Sequence, residues 1–225
     1  MGYYSTWYII GISLLITLGA QMFVTTTYNK YKKLVNKKQK TGFETAREIL
    51  DKNGLSNIYV VETHGNLTDH YDPKRNTIRL SSEVFHGTSV AACAVAAHEV
   101  GHALQYKEGY TPIKVRNAIV PIVNFSSKAG YFAIVISFIF GLTDLLWIGI
   151  ALEIIILLFQ LLTLPIEFNA SKRAKQQLQN ENILDSIEIE GANSMLTAAA
   201  MTYVASVVTA ILEIARLVLI ARDND

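Results

Sequence analysis

The chain has 225 residues, room for one compact domain of moderate size or a smaller one joined to several membrane spans. Apolar residues make up 51% and charged residues 17%, below the roughly 25% usual in soluble domains, which favours the second arrangement. A net charge of +1 provides no global basic field for nucleic acid, and the single cysteine, Cys93, excludes an internal disulfide and a Cys-rich zinc knuckle.

No residue from Met1 to Asn29 is charged, so residues 3–27 are expected to form a transmembrane helix, long enough for a hydrocarbon core of about 30 Å. Tyr3, Tyr4, Trp7 and Tyr8 at one end and Tyr28 and Tyr31 at the other mark interfacial belts. A cleaved signal peptide would carry its basic residues first; here Lys30, Lys32, Lys33, Lys37, Lys38 and Lys40 come afterwards. Positive charge stays inside, which places the N-terminus out and residues 28–116 in the cytoplasm.

That polar section, 28–116, opens with helical spacing over Phe43–Lys52, where Phe43, Ala46, Ile49 and Leu50 share a side and Asn53-Gly54 ends the run. Ile58–Val61 and Ile78–Leu80 read as short strands, with turns at Gly65-Asn66 and Asp72-Pro73. An Ala-rich helix is expected over about 88–106, capped by Thr88 or Ser89. Residues 118–164 then form a membrane hairpin turning at Gly141-Leu142-Thr143-Asp144, whose far end meets Lys172, Arg173 and Lys175. A cytoplasmic helix follows over 165–190, and a last span, rich in small residues, over 192–221, its short C-terminus outside. The expected class is therefore a mostly α membrane protein with about four transmembrane helices and a small α+β, zincin-like cytoplasmic portion.

His98-Glu99-Val100-Gly101-His102 lies on the Ala-rich helix. Histidines four apart project from one helix face, so both imidazoles can reach one ion at about 2 Å, the geometry zinc prefers. Glu99 lies one residue round the helix, too far aside to be an easy ligand but placed to take a proton from water at the metal and return it to the departing amine. A peptidase zinc needs three protein ligands and one open position. No histidine or cysteine follows His102, so a downstream third ligand must be a carboxylate. The metzincin pattern has a histidine six residues on and a glycine before it; Glu108 and Gln105 stand there instead. Asp144 falls on the outer face and Glu153 within the bilayer, whereas Glu167 emerges beside Pro165 at the cytoplasmic end of the hairpin and starts a polar helix. Glu167 is the expected third ligand, with Glu181, Asp185, Glu188 and Glu190 as alternatives.

The chain resembles the neutral zinc metallopeptidases of bacterial membranes, the YugP-type group. The resemblance is carried by the N-terminal span, Leu67–Pro73, the His98–Gln105 motif, Leu164–Ser171 and Thr202–Ala205. It is also distantly similar to membrane gluzincins that include the CAAX prenyl protease, in which the third ligand is the first glutamate of a Glu-x-x-x-Asp pattern. Glu167 matches that glutamate, and Ser171 stands where the aspartate would be, a departure at the position that orients the zinc histidines. The resemblance implies a multi-pass protein of the bacterial inner membrane that binds one Zn2+ per chain and cleaves peptides or proteins at its cytoplasmic side.

Among other residues, Thr77–Leu80 is a candidate for a strand that borders the cleft and pairs with substrate backbone. His70, between Asp69 and Asp72, is an oxyanion donor or a turn residue, and Tyr203 an oxyanion donor or a packing residue on the last span. His64 and His86 have no neighbours that suggest chemistry. Lys128 with Glu153, and Glu213 with Arg216, are expected to offset one another's charge in or near the bilayer. Two further readings stand beside the endopeptidase. An intramembrane site-2-type protease fits the apolar character of the His98 helix, although no Asn-Pro-Asp-Gly or Leu-Asp-Gly supplies that family's aspartate. A non-catalytic zinc-containing scaffold or assembly factor would need a fourth protein ligand.

Overall fold

The computed structural model describes residues 2–65 and 68–224; Asn66 of the expected turn, Leu67 of the family segment, and the side chains of Tyr3 and Tyr4 lie outside the described residues. In chain order the elements are α1 (Gly2–Tyr31), α2 (Gly42–Lys52), β1 (Tyr59–Thr63), β2 (His70–Asp72), β3 (Thr77–Ser81), α3 (Ser82–His86), α4 (Val90–Lys107), α5 (Thr111–Phe140), α6 (Thr143–Asn180) and α7 (Ser186–Asn224). The protein is a mostly α membrane protein: α1, α5, α6 and α7 are each long and apolar enough to cross a bilayer.

The chain divides into two compact units. The first comprises Met1–Met22, Thr111–Pro165 and Met201–Asp225. Its hairpin turns at Gly141, where φ is +66°, a value that costs glycine little, and Leu142 is the one other residue between α5 and α6. These two helices approach closely: a Cβ on Gly149 would stand 2.5 Å from Ile134 Cγ1. Leu146, Ile150, Leu217 and Ala221 form a small buried cluster joining α6 to α7. Arg216 donates to Glu213 (Nε to Oε2, 2.8 Å), as their spacing predicts. Lys128 and Glu153 form no ion pair among the described residues; Glu153 Oε1 instead lies 3.8 Å from where a Gly130 Cβ would be.

The second unit comprises Phe23–Tyr110 and Ile166–Ala200. Thr41 caps α2 through a reciprocal capping box: its hydroxyl accepts from Glu44 N at 3.1 Å, and its own N–H donates to Glu44 Oε2 at 2.8 Å. Ala46, Ile49 and Leu50 are wholly buried, the face that the helical spacing predicts, and they share one core with the alanines of α4. The short side chains of Ala91, Ala92, Ala94, Ala96 and Ala97 let neighbouring elements come close to α4 from several sides. Ile183, Ile189, Ala192, Met195 and Leu196 complete that core from the end of the α6–α7 connection and the start of α7.

The sheet has the order β1-β3-β2, with β1 parallel and β2 antiparallel to β3. β2 carries no alternating pattern, being only His70-Tyr71-Asp72, and owes its order to pairing with Thr77–Arg79. This topology corrects one expectation. Thr77–Leu80 is the central strand, its backbone occupied by β1 along its length and by β2 over Thr77–Arg79. Over Thr77–Arg79 it therefore has no free edge with which to extend a substrate strand.

Candidate metal centre

Ser89 starts α4 as expected, its hydroxyl accepting from Ala92 N at 3.1 Å. One turn apart on this helix, His98 and His102 present their rings nearly perpendicular (86°), with centroids 4.8 Å apart. Both Nε2 atoms face one carboxylate oxygen: Glu167 Oε2 lies 3.3 Å from His98 Nε2 and 3.6 Å from His102 Nε2. Two atoms bound tetrahedrally to one zinc at 2.0–2.2 Å sit about 3.3–3.6 Å apart, so these spacings match a shared ion. Glu167 Oε2 is also buried and has no hydrogen-bond donor. An orphaned buried carboxylate oxygen is costly unless something positive meets it. The residues present thus fit a zinc ion.

Glu167 reaches the histidines from α6, which runs unbroken through Pro165 to Asn180. The expectation that a helix begins at Glu167 is corrected: the residue sits in mid-helix. Its approach depends on Gly101, the second wildcard of the motif. A Cβ there would stand 2.5 Å from Ala170 O and 3.1 Å from Ala170 C, so α4 and α6 touch backbone to backbone at that point.

The remaining ring nitrogens are held as well. His98 Nδ1 lies 3.2 Å from Ser171 Oγ, and His102 Nδ1 lies 3.0 Å from Gln105 Oε1. Gln105 Oε1 can only accept, so His102 carries its proton on Nδ1 and keeps its Nε2 lone pair; the Ser171 hydroxyl can accept from His98 Nδ1 in the same way. Ser171, which stands where the resemblance places an aspartate, thus lies against the ring of His98. In the sequence Gln105 closes the His98–Gln105 motif and departs from the metzincin pattern; its place three residues after His102, on the same helix face, is the signal that points to it.

Glu99 is 8% exposed, and burial pushes its carboxyl above the usual range while the His98 and His102 rings oppose that. Asp69 adds to the upward push on Glu99. Asp69 is itself held by Ser81, accepting from its N–H at 2.7 Å and its hydroxyl at 3.1 Å, and burial raises its carboxyl too. A carboxylate above its ordinary range is a better proton acceptor, which is what a base beside a metal needs. His70, by contrast, lies exposed on β2, with Nδ1 2.8 Å from Thr68 O. Tyr203 belongs to the other unit, on α7, and is 37% exposed.

Three of the four alternative third ligands are engaged elsewhere, and Glu190 is not among the residues that converge on the histidines. Glu181 pairs with Lys52 at 2.6 Å, and Asp185 accepts from Ile187 N and Glu188 N at the start of α7. Glu188 accepts from Lys37 N and Asp185 N. Among the described residues, the group of three or more metal-ligating side chains that converges is His98, His102 and Glu167.

Comparison with known proteins agrees with this chemistry. Residues 6–222 match the family described as putative neutral zinc metallopeptidase. The chain is 44% identical over 205 residues to the "Putative membrane protease YugP" of Bacillus subtilis (strain 168), covering 91% of each chain. No solved structure matches. With nearly its whole length matched by the family and by a relative of this identity, the chain belongs to the putative neutral zinc metallopeptidases.

Proposed function

We propose that this protein is a zinc-dependent endopeptidase of the bacterial inner membrane, with its active site at the cytoplasmic face, one Zn2+ held by His98, His102 and Glu167, and Glu99 as general base and acid. The observation that carries the reading is the convergence of two imidazole Nε2 atoms on one orphaned carboxylate oxygen at 3.3 and 3.6 Å. Three side chains leave one position of a tetrahedral ion for water or substrate, the arrangement of catalytic rather than structural zinc. The metal would supply Lewis acidity, polarising a peptide carbonyl and acidifying water. Glu99 accepts the proton of the attacking water and delivers it to the amine nitrogen of the leaving half. Gln105 holds the His102 Nδ1 proton away from the metal side, and with a zinc on Nε2 the Ser171 hydroxyl would accept from His98 Nδ1 in the same way. The cytoplasmic placement rests on the lysines after α1 and the basic residues Lys172, Arg173 and Lys175 that follow the hairpin.

Zinc content and casein cleavage, measured together on protein purified in detergent, test this reading. Wild type should carry about one zinc per chain. Glu99→Gln should keep the metal and lose roughly 10²–10⁴-fold in rate, the usual share of general acid–base catalysis. Cleavage by Glu99→Gln at the wild-type rate would refute the assigned base. Zinc without any hydrolysis in wild type would favour the scaffold reading.

A further inference from the structure

We infer that Gln105 is a positioning residue for the metal site, one amide that fixes the tautomer of His102 and ties it to the stretch of α6 that carries Glu167. This deepens the proposed function and rests on its assignment of His102 and Glu167 as ligands.

Gln105 is completely buried, and its side chain makes three hydrogen bonds, one to His102 and two to α6. Oε1 accepts from His102 Nδ1 at 3.0 Å. One Nε2 hydrogen goes to the backbone carbonyl of Ile166, the residue before Glu167, at 2.8 Å. The other goes to Asn169 Oδ1 at 3.0 Å. Asn169 Oδ1 accepts a second bond, from Arg173 Nε at 2.7 Å, and the Arg173 guanidinium clasps Glu108 through both oxygens at 2.6 and 2.7 Å. His102, Gln105 and Glu108 lie on one side of α4 at three-residue steps; Ile166, Asn169 and Arg173 follow one side of α6. The six form a polar seam beside the apolar contact of Gly101 with Ala170.

A glutamine is suited to this place because its amide is an acceptor and a double donor at once. The acceptor side requires the proton on His102 Nδ1, and so leaves Nε2 free for the ion. The donor side draws in Ile166, one residue from the third ligand. A buried glutamine fully satisfied in this way costs little, whereas an apolar residue of similar size would leave the His102 ring free to rotate and the Nδ1–H without a partner.

The test is zinc affinity by chelator competition in detergent, together with the visible spectrum of the Co2+-substituted protein, for wild type, Gln105→Leu and Gln105→Glu. Gln105→Leu should weaken zinc by about 10–100-fold, the usual effect of removing a partner of a ligating imidazole. It should also shift the Co2+ bands, which a loss of packing alone would leave in place. Gln105→Glu keeps an acceptor for Nδ1–H but loses the donor to the Ile166 carbonyl; its zinc affinity should fall by clearly less than that of Gln105→Leu. Wild-type affinity and spectrum in Gln105→Leu would overturn the inference while leaving the ligand set intact. Equal losses in both variants would overturn it too, since the residue would then serve only the helix seam. A wild type that binds no zinc would overturn the proposed function itself.

Discussion

Removing the Glu167 carboxylate leaves two imidazoles on α4 and no third side chain converging with their Nε2 atoms. Glu167→Ala is therefore expected to lose zinc during purification and to lose casein cleavage with it, as read by metal analysis and assay on one sample; full occupancy in that variant would place the third ligand elsewhere. This loss differs in kind from that of Glu99→Gln, which leaves the ligand atoms untouched. The distinction follows from position on the helix. Glu99 stands a residue round from the histidines, where burial raises its proton affinity, whereas Glu167 arrives from another helix with an oxygen that nothing else satisfies. His98, Glu99 and His102 were legible in the sequence because a single helix presents them, and helix geometry is known in advance. Gln105 and Asp69 were not, since their roles arise from neighbours distant in sequence, Asn169 and Ile166 for one and Ser81 for the other.

At the scale of elements, the crossing of α4 and α6 decides whether the ligands meet. The obstacle to a side chain at Gly101 is the Ala170 backbone, which cannot swing aside as a flexible side-chain end can. Gly101→Ala should thus push the helices apart, lowering unfolding stability by about 1–3 kcal/mol, in the range of overpacked cores, and weakening zinc as Glu167 retreats. Thermal unfolding and metal titration in detergent would show both; unchanged zinc affinity would mean that the ligand geometry tolerates this separation. The lysine run after α1 has a second role at this scale. Lys32 pairs with Glu83 at 2.8 Å and Lys37 with Asp185 at 2.5 Å, while Lys40 meets Glu48 and Lys38 the Asn182 carbonyl. These residues read as an orientation signal in the sequence, and in the fold they also fasten the segment after α1 to α2, α3 and the start of α7. Small elements were the least legible. β2 and α3 span three and five residues, too few to show a period, and exist through contacts with β3 and α4.

For the whole molecule, charge placement predicts an N-terminus and a hairpin turn outside and the His98 motif inside. Cys93 makes this testable with introduced cysteines. It is fully buried and its thiol is pushed up to about 11 by burial, so the native chain should resist labelling. Leu142→Cys, at the exposed hairpin turn, should react with a membrane-impermeant maleimide in intact cells. Lys33→Cys, exposed after α1, should react only once the membrane is opened. The opposite pattern would reverse the orientation and move the proposed active site outside.

Four long apolar helices and a helix presenting His98 and His102 on one face were determined by the sequence itself, because spans and motifs depend on local composition and on the fixed pitch of a helix. Charge placement and the cytoplasmic end of the hairpin narrowed the expected third ligand to a favoured residue among five, and the resemblance matched it. Only the tertiary structure decided that Glu167 Oε2 meets both Nε2 atoms, that β3 is the central strand, and that Gln105 and Ser171 lie against the two rings. Those outcomes turn on which surfaces of α4, α6 and the sheet pack together, and on a backbone contact at Gly101 made possible by a missing side chain. Spacing along a chain carries no record of such contacts until the helices have docked.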